Sequence, residues 1–322
     1  MSSPVQGPDF SLGGNLIFMI SQPRAGSTLL QRMLGSHPDI HTVSEPWLML
    51  HPLYTLTDTN GYKAEYDSDL ARRGTKEFLT SLPSGEKEYV QAARQMYGTM
   101  YEMALQRARK RYFLDKTPRY YLIIRELYRT FPEAHFIFVL RNPLAVLCSV
   151  ANTWVRGKWR RLRRYRTDVL KAPLLILNGI ETVGERSLTV TYENVVAQPE
   201  EELKKICARL GVDFVPGIVR YGDAGLSAWP LGDQKKVYQR TSPDPDIPNQ
   251  WVHALRDPQT WRLAHEYLEF LGKETLNKMG YDHEGLLATL RDYRPHLARL
   301  WFTFSLHRLL KTEEPSLTCE NS

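Results

Sequence analysis

The chain has 322 residues, 42% hydrophobic and 24% charged, with 42 Lys and Arg against 36 Asp and Glu, a net charge of +6. At about 150 residues per domain the length leaves room for two domains, and the composition excludes a disordered, collagenous or low-complexity chain. The basic excess favours anionic ligands and is too small to demand nucleic acid.

Met1 to Pro8 has neither a basic n-region nor an apolar h-region, so the sequence predicts a flexible N-terminal segment over 1–14 and no signal peptide. Asn15 to Ser21 is apolar almost throughout and reads as a buried strand. The turn Gln22-Pro23-Arg24-Ala25-Gly26 follows, then a helix from Ser27 to about Gly35. Thr57 to Glu88 is polar, with turn signals at Asn60-Gly61 and Pro83-Ser84-Gly85, and reads as an excursion from the core. Arg111 to Asp115 is a short strand, with a helix expected from Arg119 to Phe131. His135 to Arg141 is a further strand, and Asn142-Pro143 then opens a helix to about Val155, since Pro suits a first helical turn. Ser187 to Glu193 is a strand, followed by a helix from Pro199 to Leu210-Gly211.

Apolar strands alternating with helices indicate an α/β fold: a doubly wound parallel sheet, P-loop-like, flanked by helices. Such sheets bind ligands beyond the C-terminal ends of their strands. No linker separates two cores, so the reading is one domain over 15–312 with loop and helical insertions. Three widely spaced cysteines, Cys148, Cys207 and Cys319, argue against a disulfide framework or a zinc knuckle. No apolar run approaches the ~18 residues of a membrane span. A cytoplasmic location is the expectation.

Two further segments stand apart. Arg156, Lys158, Arg160, Arg161, Arg163, Arg164 and Arg166 interleave with Trp154, Trp159 and Tyr165. A solvated helix face, a rim that attracts an anionic substrate and a nucleic-acid surface all remain open for this run, and no nucleic-acid-binding motif accompanies it. Near the C-terminus, Leu297, Leu300, Trp301 and Phe304 form an apolar stripe on a helix expected over 294–311, a surface for packing on the domain, for a dimer or for a membrane face. The tail 313–322 is expected to be disordered.

Ser21 to Leu30 joins a buried strand to a helix. Amides at a helix N-terminus, with Gly26 allowing close approach, make an anion site. Ser27 and Thr28 add hydroxyls and Arg24 a fixed charge. Taken alone, the segment is equally compatible with a plain tight β–α turn. It is not a Walker A loop, because Gly26 is followed directly by Ser27 with no Lys between.

Pro23-Arg24-Ala25-Gly26-Ser27-Thr28 resembles the phosphosulfate loop of the sulfotransferases that use 3′-phosphoadenosine 5′-phosphosulfate. Arg141 at a strand end, with Ser149 eight residues on, is similar to that family's 3′-phosphate pair, and Val190 to Val195 is similar to its strand-plus-Tyr-Glu segment. The resemblance runs from about Asn15 to Gly211, with a weaker echo at Asn277 to Tyr281. It implies Arg24, Ala25, Gly26, Ser27 and Thr28 at the 5′-phosphate, Arg141 and Ser149 at the 3′-phosphate, and Tyr192 beside the nucleotide.

Many family members use a His two residues after a Lys as base, but Lys116-Thr117-Pro118 has none. The path through His37-Pro38-Asp39 to Ser44-Glu45-Pro46 is most like the tyrosylprotein branch, and implies Glu45 as general base, with Arg24 and Lys116 as catalytic cations. That branch carries a further Arg one turn after the Ser, and here the position is Thr153. Lys235 or Lys236 is a candidate to reach the nucleotide. The implied cosubstrate is the phosphosulfate nucleotide, with the 3′,5′-bisphosphate (PAP) as product and no metal required. The acceptor is expected to be a hydroxyl or amine on a small metabolite or carrier-bound intermediate. A P-loop small-molecule kinase and a non-catalytic nucleotide-binding module are the alternatives.

Overall fold

A computed structural model of the chain describes residues 13–58, 67–222, 240–295 and 305–306. Lys235, Lys236, most of 294–311, nearly all of the expected N-terminal segment and the tail lie outside the described residues. The elements run β1 (Leu16–Ser21), α1 (Ser27–Gly35), β2 (Ile40–Thr42), α2 (Leu50–Tyr54), α3 (Ser68–Thr80), α4 (Glu86–Ala108), β3 (Tyr112–Asp115), α5 (Ile124–Thr130), β4 (His135–Leu140), α6 (Pro143–Val150), α7 (Ala172–Val183), β5 (Ser187–Thr191), α8 (Tyr192–Ala197), α9 (Pro199–Leu210), α10 (Pro258–Lys278, broken at Gly272) and α11 (His283–Asp292). They fall into two compact units, 1–141 with 172–245, and 142–171 with 246–322.

The first unit holds a five-stranded sheet of order β2-β3-β1-β4-β5, every neighbouring pair parallel. β1 is buried at all six positions and β4 at five of six, as central parallel strands covered on both faces require. The registers Thr42↔Leu114, Phe18↔Asp115, Ser21↔Val139 and Leu140↔Thr191 bring the C-terminal ends of all five strands to one sheet edge. After β1 the chain turns toward β2 and β3, and after β4 toward β5, so the switch point lies between β1 and β4. Arg24 and Arg141 follow those two strands.

The expected α1 and α9 spans are the observed ones, and β1, β3 and β4 agree to within a residue at each end. β5 stops at Thr191, two residues short of the expectation, because the Thr191 hydroxyl caps the next helix at the Asn194 amide. β2 was too short, at three residues, to stand out from the sequence. Within the polar segment Thr57 to Glu88, α3 begins at Ser68 behind an Asp67 cap and α4 begins at Glu86.

In the second unit, α6 starts behind Asn142, whose side chain accepts from the Leu144 and Ala145 amides, and Pro143 takes the first turn. It continues as a π-helical turn over Ala151–Val155. A 3₁₀ segment over Trp159–Tyr165 carries most of the basic run, pinned by buried Leu162 and by Trp154 stacked on Tyr165 at 4.6 Å. The side chains of Arg156, Lys158, Arg160, Arg161, Arg163 and Arg164 are exposed. The Tyr267 hydroxyl donates to the Val169 carbonyl at 2.7 Å, tying α10 to the π-helical turn Thr167–Lys171 that follows the segment. Among the described residues no helix is long and apolar enough to cross a membrane.

Candidate active site

The side chains that matter follow the C-terminal ends of the strands of the first unit. After β1, the turn closes through the Ala25 amide on the Gln22 carbonyl at 3.1 Å. Arg24 takes a left-handed φ of 72° and Gly26 one of 85°. Gly26 is also sterically obligatory, since a Cβ there would come within 2.2 Å of the Tyr192 ring. Gly26, at the N-cap of α1, offers no side chain to cap the first amides of the helix. The Ser21 hydroxyl donates to the Ser27 hydroxyl at 2.8 Å, joining strand end to helix start.

After β4, Arg141 turns back toward this loop. Its Nη1 donates to the Arg24 carbonyl at 3.0 Å, and its guanidinium lies 4.3 Å from the centre of the Tyr192 ring. Gly26, Tyr192 and Arg141 thus form one contiguous stack, with Arg141 also holding the loop backbone. Burial pushes the Tyr192 phenol up, and the Arg141 charge pulls it partly back. Tyr192 itself comes from the first turn of α8, directly after β5.

After β3, Lys116 Nζ donates to Glu45 Oε1 at 2.7 Å, with side chains only 3% and 10% exposed. The structure thus pairs Lys116 with a carboxylate 71 positions away in sequence. Gln31, fully buried on α1, donates to the Thr42 hydroxyl at 2.9 Å and to the Val43 carbonyl at 2.8 Å. The helix behind the loop therefore also holds the chain just before Glu45.

Asp115 is engaged elsewhere. Its Oδ1 accepts from Thr117 Oγ1 at 2.8 Å, and its Oδ2 accepts from the hydroxyls of Tyr101 at 2.6 Å and Tyr120 at 3.0 Å. Sequence reading missed this cluster; the one available signal was a carboxylate ending an apolar strand. Burial pushes the Asp115 carboxyl up to about 6, and the three hydroxyl donors pull it down. A carboxyl raised in this way contributes its stability fully below its unfolded value of 3.8 and loses it as pH rises through about 6. The stability advantage of the native chain over Asp115→Asn is therefore expected to shrink by on the order of 2 kcal/mol between about pH 4 and pH 7. Unfolding midpoints across that window measure it, and a flat difference would remove Asp115 as the titrating group.

His37 is 1% exposed, its Nδ1 accepting from the Asp39 amide and its Nε2 donating to the Asp213 carbonyl at 2.8 Å. Both ring nitrogens are committed to backbone, so His37 is a structural residue. Burial, aided by Lys110, lowers the pKa of His41. Ser149 lies on α6 of the second unit, half-buried among buried neighbours. The structure brings Arg24, Gly26, Tyr192 and Arg141 into one cluster, and Glu45 and Lys116 into a second.

The model of the sulfotransferase family matches residues 16–216. The chain is 28% identical over 292 residues to nodulation protein NoeE of Sinorhizobium fredii, covering 83% of this chain and 66% of that one. It is 27% identical over 212 residues to the protein-tyrosine sulfotransferase of Drosophila melanogaster, covering 64% and 40%. The sulfotransferase domain from the Synechococcus PCC 7002 olefin synthase superposes with a TM-score of 0.47 at 25% identity, over 73% of this chain and 86% of that one. The chain thus spans less than two thirds of the length of the two curated relatives.

Proposed function

The chain belongs to the sulfotransferase family, and from that premise we propose that it moves a sulfuryl group from 3′-phosphoadenosine 5′-phosphosulfate to a hydroxyl or amine acceptor. The acceptor is a small metabolite or a carrier-bound intermediate, and Glu45 is the general base. The observation that carries this reading is the buried pairing of Glu45 with Lys116 just after β3, the strand that lies next to β1.

The residues present fit the nucleotide. Gly26 lets backbone approach an anion, Ser27 and Thr28 add hydroxyls, and Arg24 adds charge at the 5′ end. Arg141, a planar fork stacked on Tyr192, suits the 3′-phosphate. The part of Ser149 in that grip rests on the eight-residue spacing alone. When bound, the phosphosulfate supplies an activated sulfuryl group and departs as PAP. Glu45 takes the proton of the acceptor. Lys116 orients Glu45 and, with Arg24, meets negative charge that grows on the oxygens around the transferred group. Catalysis here is chiefly positioning and electrostatics, as in the related phosphoryl case.

Radiolabelled sulfate transfer across phenols, alkyl alcohols, sugars and amines tests the reading, with one acceptor class expected to be labelled. A companion measurement separates it from a kinase. PAP at about 100 times its Kd is expected to stabilise the fold by about 2.7 kcal/mol, and magnesium ATP to give no comparable shift. Stabilisation by magnesium ATP alone would sink the proposal.

A further inference from the structure

We propose that Asp115 is a positioning residue: its buried carboxylate orders the Thr117 and Tyr120 hydroxyls so that they clamp the backbone after Glu45 and set where that carboxylate stands. The inference rests on the reading of Glu45 as base and adds a residue to it.

A hydroxyl carries one hydrogen and two acceptor lone pairs. Thr117 and Tyr120 both give their hydrogen to Asp115. Their oxygens are then left as acceptors, and each takes a backbone amide of the same segment. The Trp47 amide donates to Thr117 Oγ1 at 3.2 Å, and the Met49 amide donates to the Tyr120 hydroxyl at 3.1 Å. An ionised Asp115 can only accept, so it fixes the direction of both chains of hydrogen bonds and strengthens each by polarisation. An amide at position 115 would present donors as well, and the direction would no longer be imposed.

The segment needs such a clamp. Pro46 has no amide to donate, and Trp47 sits at a φ of 57°, in the left-handed region that bulky side chains rarely adopt. Glu45 lies two residues before Trp47 and four before Met49, so the two clamped amides close off the chain on its C-terminal side. On its N-terminal side Gln31 grips Thr42 and Val43. The cluster is dry: Asp115 is 1% exposed, Tyr101 1% and Tyr120 0%. Tyr101, the third donor, reaches Asp115 from α4 and packs edge-on against Phe18 of β1, so the carboxylate is itself held by two other elements. Lys116, which pairs with Glu45, is the next residue after Asp115. One strand end therefore orients the base from two directions, by an ammonium in front and by a clamped backbone behind.

The test uses the full chain with Thr117→Val, Thr117→Ser and Tyr120→Phe. Thr117→Val and Tyr120→Phe are each expected to lower kcat by roughly 10-fold while the Kd for PAP changes less than about 2-fold. Thr117→Ser, which keeps the hydroxyl, is expected to recover most of that loss. Hydrogen exchange is expected to quicken by about 10-fold or more at the Trp47 amide in Thr117→Val and at the Met49 amide in Tyr120→Phe. Unchanged exchange at both amides would overturn the inference. So would a fall in PAP affinity that matches the fall in kcat, or a serine variant as impaired as the valine one. Should Glu45→Gln turn over normally while the amides still open in the clamp variants, the base assignment falls and the clamp stands, because exchange is read without any assay of turnover.

Discussion

Glu45→Gln is expected to lower kcat by about 10²- to 10⁴-fold, the usual range for removing a general base, while the Kd for PAP stays within about 2-fold. The amide has the size of the carboxylate and its oxygen can still accept from Lys116, so the hydrogen bond now at 2.7 Å is expected to survive. What it loses is the ability to take a proton. The cluster of Gly26, Tyr192 and Arg141 proposed to hold the nucleotide does not include Glu45, so binding of the bisphosphate is expected to be separable from turnover. Calorimetry with PAP beside a transfer assay makes the comparison. Equal loss of both quantities would show Glu45 holding the fold of the site, and full turnover would remove it as the base.

The second large effect is expected on stability as well as rate. Lys116→Met leaves the Glu45 carboxylate, 10% exposed, beside an apolar side chain. Removing one partner of a buried ion pair costs about 3–5 kcal/mol, most of it the penalty of the charge left behind. On the proposed mechanism turnover is expected to fall with it, since Lys116 is there assigned both to orient Glu45 and to meet charge on the transferred group. The double variant Glu45→Gln and Lys116→Met is expected to regain most of the stability and none of the activity, because the uncompensated charge is gone but so is the proposed base. Unfolding midpoints and transfer rates for the two single variants and the double variant measure this. A Lys116→Met chain as stable as the native one would mean that the pair is solvated and weakly coupled.

Both predictions concern residues whose pairing needed the folded chain to appear. Glu45 and Lys116 were each legible as candidates, one from the Ser44-Glu45-Pro46 segment and one from Asp115-Lys116-Thr117-Pro118. That they meet each other depends on β2 lying beside β3, and β2 is only three residues long. A strand of that length has too little periodicity to announce itself. The same holds for the clamp. Tyr101, Thr117 and Tyr120 are unremarkable in sequence, and only the packing of α4 and the turn after β3 against Asp115 turns them into one hydrogen-bonded unit.

Local chemistry, by contrast, was readable directly. Long apolar runs at Leu16–Ser21 and His135–Leu140 can be buried on both faces only in a covered parallel sheet, so they determined the fold class. Gly26 before a helix start, Pro143 behind an Asn cap and Gly211 after α9 set their boundaries through backbone geometry that neighbours in sequence impose. What only the tertiary structure decided is which strand ends lie side by side. Hydrogen bonds and ion pairs act over about 3 Å, and distance along the chain carries no record of which remote side chains will come within that range.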